Sequence, residues 1–349
     1  MRTIIIPRRW SRSLPRSYPL PAAITAALLM GTALGLQACG PAQTPAVIAA
    51  DGVLCDITKR LAGSDLQVGC LIQPGDDPHQ FRLTPQQSRE LGQARLILIN
   101  GYGLTPAMAK QANAIAVAER AVPMSPLLAG KPEENEGHAQ HTSEGHPADG
   151  HPSDRDPHVW HDPNQASAMV RLVAQQLEQL EPAARTRIAA RATAMTAVLQ
   201  DLDRWNHQQL ATIPVAKVLA TGHRAYASLA RAYGLRELPV VDATSSSQSL
   251  RPQAFQAVID QLKSEQVPVL FAEQLPASQA LQRISSLSGV PLAPAPLVAD
   301  GLAKARDNSG TSDLIVTLTA NTCLIVTGLQ GRCDKASQRN LIRQWEAIR

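Results

Sequence analysis

Short, mostly apolar runs alternate with amphipathic stretches and turns in both halves of this chain. In the first half they predict strands at 47–50, 66–72 and 96–99, with helices at 56–62 and 84–92 between them. Thr84 suits an N-cap, Pro85 the first helical position and Gln87 the capping-box position. Gly75-Asp76-Asp77-Pro78 is turn chemistry, so residue 79 falls just past a strand's C-terminal end. After Pro163 the apolar spacing becomes helical. Met169, Leu172, Val173 and Leu177 mark a helix over 166–180, which Glu181-Pro182 breaks. A second pattern runs over 183–210 through Ile188, Met195, Leu199, Leu202 and Trp205. Its 28 residues span about 42 Å at 1.5 Å per residue.

The alternation then resumes. Strands are predicted at 217–220, 238–241, 268–272 and 290–292, and helices at 223–233, 252–263, 276–288 and 312–328. The pattern predicts an α/β protein of two Rossmann-like lobes with parallel sheets, joined by one long rigid helix. We place the first lobe at 47–181, the linking helix at 182–211 and the second lobe at 212–349. Ligands of such sheets sit beyond the carboxyl ends of the strands. The two lobes would present those ends to one another across a cleft.

Three histidine motifs stand out, Asp77-Pro78-His79, Asp156-Pro157-His158 and His223-Arg224-Ala225-Tyr226, and the first and third follow predicted strand ends. Each brings an imidazole near an aromatic residue (Phe81, Trp160, Tyr226) in a chain that is only 3% aromatic. A ligating imidazole needs a fixed ring and a dry surround. Three imidazoles from distant segments suit a divalent d-block ion, zinc above all. Asp77, Asp156 and Asp162 read as turn formers or as supports of the ligands. His161 reads as a bystander in preference to an extra ligand, and His207 as a surface residue on the long helix.

The first 38 residues read as a signal peptide. Arg2, Arg8, Arg9, Arg12 and Arg16 precede an apolar stretch too short to span a bilayer. Leu36-Gln37-Ala38-Cys39-Gly40 resembles a lipobox, which implies cleavage before Cys39, lipidation of that cysteine and a tether over 39–46. Of the 33 Lys and Arg, removal of those five leaves 28 against 29 acidic residues, which gives no basis for nucleic-acid binding. Cys55, Cys70, Cys323 and Cys333 remain, an even number that reads as two disulfides in an exported chain. Three pairings are open, and proximity favours Cys55–Cys70 with Cys323–Cys333. The 131–155 stretch holds His138, His141, His146, His151 and six acids but no large apolar residue. It is expected to be mobile and to collect metal loosely.

The motifs PGDDPHQF (74–81), INGYGL (99–104), DPHVWHDP (156–163), TGHRAYASLARAYGL (221–235), SSSQSLRPQ (245–253) and VLFAEQ (269–274) together resemble the solute-binding lipoproteins of bacterial zinc and manganese ABC importers, the ZnuA/TroA type. The resemblance runs over about 47–328. It implies an exported, periplasmic, lipid-anchored monomer with no enzymatic activity, which carries Zn2+ to an ABC permease and its ATPase. His79, His158 and His223 match the ligand positions. In the relatives the third of these tends to be histidine for zinc and glutamate for manganese. Relatives often add a carboxylate from a DPL-like segment, but here Ala295-Pro296-Leu297 lacks the acid. Water, Asp300 or Glu273 is left for the fourth position. The alternatives are a manganese or iron importer subunit, or a zinc hydrolase using Glu273 as base, for which no HExxH helix is present.

Overall fold

The computed structural model describes residues 45–123, 156–241, 252–304 and 313–349. The signal segment, Cys39 and the stretch with His138, His141, His146 and His151 lie outside the described residues.

The first sheet has strand order β2-β1-β3-β4, all parallel. Its strands are β1 (Val47–Ala49), β2 (Val68–Cys70), β3 (Leu96–Ile99) and β4 (Ala114–Ala116), with helices α1 (Gly52–Ala62), α2 (Pro85–Gln93) and α3 (Val117–Ala121). Strand residues alternate between two cores. Val47, Ala49 and Leu98 face one, and Ile48 and Ile97 the other, as a sheet covered on both faces requires. Truncating Leu98, which is fully buried, to alanine costs about 2–5 kcal/mol at such a site. Asp51, two residues past β1, caps α1 by accepting from Leu54 N–H at 2.9 Å. The capping box at Thr84 and Gln87 forms as predicted.

Two long helices follow, α4 (Pro163–Leu180) and α5 (Arg185–Leu210). Asp162 caps α4 through Asn164 N–H at 2.8 Å, ahead of Pro163. Ile188, Met195, Leu199 and Leu202 of α5 lie in the first core, and Leu210 at its end in the second half's core. Asn206 fastens α5 by donating to Tyr233 Oη at 3.1 Å and accepting from Thr322 at 2.9 Å.

The second sheet has the order β6-β5-β7, again parallel. It comprises β5 (Val218–Thr221), β6 (Arg236–Pro239) and β7 (Leu270–Phe271), with α6 (Ala227–Tyr233), α7 (Pro252–Ser264) and α8 (Gln279–Ser288). Val218, Ala220 and Leu270 face one core, and Leu219 and Phe271 the other. The strand predicted at 290–292 is a single bridge, Leu270 to Leu292. The helix predicted from 223 begins at Ala227, because the residues around His223 are held in a non-helical turn.

The chain closes with α9 (Leu314–Gly328) and α10 (Lys335–Glu346), the latter not predicted. Leu314, Leu318, Leu341 and Trp345 join the first core, while Ile325, Val326 and Leu329 of the same segment join the second. Trp345 donates to Asp56 at 3.0 Å, and Arg60 donates to the Trp345 carbonyl at 2.8 Å. The last helices are thus shared between both cores. Disulfides join Cys55 to Cys70 and Cys323 to Cys333, with Cα–Cα distances of 5.6 and 5.2 Å. Among the described residues no helix is long and apolar enough to cross a membrane.

Candidate metal centre

All four residues that converge here sit in irregular segments, those of His79 and His223 next after a strand. His79 follows β2, and its N–H donates to Asp77 Oδ1 at 2.8 Å, an Asx turn. His158 precedes a short 3-10 turn (Val159–His161) and repeats the device, donating to Asp156 Oδ1 at 2.9 Å. The Asp-Pro-His motifs thus set the backbone through their aspartates. His223 follows β5, and its carbonyl accepts from Thr221 Oγ1 at 3.0 Å. Asp300 lies beyond β7, in a segment anchored where Leu297 N–H donates to Ala272 O at 2.8 Å.

The three imidazoles meet at one oxygen. Asp300 Oδ1 lies 2.9 Å from His158 Nε2, 3.1 Å from His79 Nε2 and 3.5 Å from His223 Nε2. The ligand atoms of His79, His158 and Asp300 all fall within 4.8 Å of one another. The His158 ring centroid is 5.6 Å from that of His79 and 5.8 Å from that of His223. His223 Nε2 is buried and, among the described residues, makes no hydrogen bond. Its nearest charged neighbour is Asp300 Oδ1 at 3.5 Å, the longest of the three approaches. His158 and His223 are almost wholly buried, whereas the Asp300 side chain keeps 23% exposure. On the carboxylate's side a cavity of about 270 Å³ opens between Asp77, Glu273, Asp300 and Lys304.

The electrostatics follow from the pairing. Burial pulls the His158 imidazole down, but the charge and hydrogen bonds of Asp156 and then Asp300 outweigh it and push it up to about 9. Burial likewise opposes the protonated form of His223, yet Asp300 and Glu273 push it up to about 10. Burial would raise Asp300, but its three imidazole neighbours hold it well below the usual carboxylate range. These shifts make the cluster a set of imidazolium–carboxylate pairs centred on Asp300.

Glu273 does not join the cluster directly. Its Oε1 accepts from Gly222 N–H at 2.8 Å and His223 N–H at 3.2 Å, and stands 3.7 Å from His223 Nδ1. A Cβ on Gly222 would collide with Glu273 Oε2, so glycine permits that approach. Sequence reasoning missed Glu237, which accepts from Ala225 N–H and Tyr226 N–H at 3.0 and 2.7 Å and so fixes the turn after His223. No local motif marks it. His161 is buried, and His207 is exposed, its side chain retaining 60% of its surface.

A family model for the periplasmic component A of the zinc-uptake complex, ZnuA, matches residues 47–328. The chain belongs to the ZnuA family. ZnuA-family proteins are extracytoplasmic metal-binding components of ABC-type importers and not enzymes. The chain is 28% identical over 238 residues to the zinc-binding protein TroA of Treponema pallidum, covering 66% of this chain and 70% of TroA. It is 24% identical over 285 residues to the manganese-binding lipoprotein MntA of Halalkalibacterium halodurans, covering 81% and 88%. The solved structure of the periplasmic zinc-binding protein TroA from Treponema pallidum superposes with a TM-score of 0.68 at 25% identity, covering 82% of this chain and 99% of that one. Fe(III)-bound YtgA from Chlamydia trachomatis superposes at 0.67 and 23% identity, covering 83% and 99%. The ZnuA relatives thus span zinc, manganese and iron.

Proposed function

We propose that this protein captures Zn2+ outside the cytoplasm through His79, His158, His223 and Asp300, and delivers it to an ABC permease driven by its ATPase. The convergence of three Nε2 atoms on Asp300 Oδ1 carries the reading. Zn–N and Zn–O bonds of about 2.0–2.1 Å make a tetrahedron with edges of about 3.3 Å. The observed 2.9, 3.1 and 3.5 Å lie around that value. Three imidazoles with one carboxylate favour zinc, whereas manganese and iron(III) prefer more oxygen. Asp300 is the fourth ligand in this reading, ahead of water. Glu273 orients His223 from behind.

A lipid on Cys39 would hold the protein at the envelope as a monomer. The lipobox supports this, as does the name lipoprotein carried by the manganese-binding relative MntA. The lobes are proposed at 47–181 and 212–349 with 182–211 linking them, and His138, His141, His146 and His151 as accessory metal-collecting residues.

Isothermal titration of the metal-free protein with zinc, alone and in excess manganese, tests the assignment. One zinc per chain that manganese does not displace is expected. Preferential manganese binding would transfer the protein to the manganese branch, and no binding of either would end the reading.

A further inference from the structure

His161 lies three residues after His158, on the same 3-10 turn, and only 1% of it is exposed. Its ring packs 4.8 Å from Tyr226 and 5.5 Å from Trp160, centroid to centroid. An apolar side chain would suit that setting, yet the histidine spends a hydrogen bond there: its Nε2 lies 3.0 Å from the carbonyl oxygen of Ala299. A carbonyl only accepts, so Nε2 carries the hydrogen.

The carbonyl belongs to the residue before Asp300. The surrounding backbone is tied on either side. Val298 exchanges two hydrogen bonds with the Asn321 side chain at 2.9 and 2.8 Å. Leu302 accepts from Gly75 N–H at 3.0 Å, and Ala303 donates to Thr317 Oγ1 at 3.1 Å. Between these anchors, among the described residues, His161 supplies the bond that holds the backbone. Gly301, next along, has φ of +148°, a conformation that leaves this stretch free of regular structure.

We infer that His161 is a positioning residue of the metal centre: one turn grips the Ala299-Asp300 dipeptide twice, His158 by the carboxylate and His161 by the preceding carbonyl. The tie fixes the Asp300 oxygen against the imidazoles before metal arrives. A ligand so held loses less freedom on binding, which raises affinity, and supports of this kind are worth about 10–100-fold in metal affinity. The inference rests on the proposed zinc site and replaces the sequence expectation that His161 is a bystander.

Zinc affinity measured against a fluorescent chelator on the full mature chain, for the wild type, His161→Leu and His161→Gln, tests it. Leucine keeps the apolar packing and removes the donor, whereas the glutamine amide nitrogen can reach the position of Nε2. The melting temperature of each metal-free variant confirms that it is folded. His161→Leu should bind zinc at least about tenfold more weakly, and His161→Gln should recover most of the loss. Equal affinity of His161→Leu and wild type, or equal losses in both variants, would overturn the positioning role. A wild-type protein that binds no zinc would instead fail the proposed site.

Discussion

Asp156 Oδ1 lies 2.6 Å from His158 Nδ1, so the imidazole's second nitrogen, Nε2, is turned toward Asp300. The other Asp156 oxygen accepts from Ala227 N–H at 3.1 Å, at the start of the helix after His223. One buried carboxylate therefore fixes the tautomer of one imidazole and braces the segment of another. Replacing Asp156 by alanine should weaken zinc binding by about 10–100-fold. Chelator competition checks this, and an unchanged affinity would show that the 2.6 Å contact is not used.

Asp300 contributes a charge as well as an oxygen. Asp300→Asn keeps its size and removes the anion that three imidazoles face, so its loss should exceed the about 10–100-fold of an outer residue such as Asp156. Wild-type affinity in that variant would assign the fourth position to water.

The pH dependence follows from the imidazoles. With His158 pushed up to about 9 and His223 to about 10 in the metal-free protein, both carry protons at neutral pH. A protonated nitrogen does not ligate, so zinc displaces about two protons per ion at pH 7 and apparent affinity falls as pH falls. Titration calorimetry in buffers of different ionisation enthalpy reads that number directly. The linked stability has the opposite sign. Because these folded-state values lie above the unfolded value of about 6.5, their contribution is full below pH 6.5 and is lost as pH rises through 9 and 10. The metal-free protein should lose melting temperature over that alkaline window, and release of no protons on zinc binding would contradict the assignment.

The Cys55–Cys70 bridge closes a separation of 15 residues between α1 and β2. A loop of that size predicts about 3 kcal/mol of stabilisation. Denaturant unfolding of the Cys55→Ser, Cys70→Ser double variant should show a loss of that order, and an unchanged midpoint would mean that the bridge contributes nothing.

The fold was largely legible where local chemistry and burial agree. The apolar runs at 47–50 and 96–99 form strands because both faces of that sheet are covered. The 84–92 stretch forms a helix because Thr84, Pro85 and Gln87 satisfy its first turn. β4 was missed because Ala114, Ile115 and Ala116 carry too little apolar bulk to stand out from their surroundings. α10 was missed because Leu341 and Trp345 are the buried residues in a polar helix. In the site, the three histidines were legible from Asp-Pro-His and Thr-Gly-His turns. Asp300 was one of three candidates, since nothing near it in sequence announces a ligand. Its place is set by Asn321, Thr317 and His161, which tertiary structure alone brings to it.

The most direct test is anomalous diffraction on either side of the zinc absorption edge, on crystals of residues 40–349 grown with zinc. One strong peak bound by His79 Nε2, His158 Nε2, His223 Nε2 and Asp300 Oδ1 is expected. Density confined to other histidines, with no anomalous peak among these four, would contradict it.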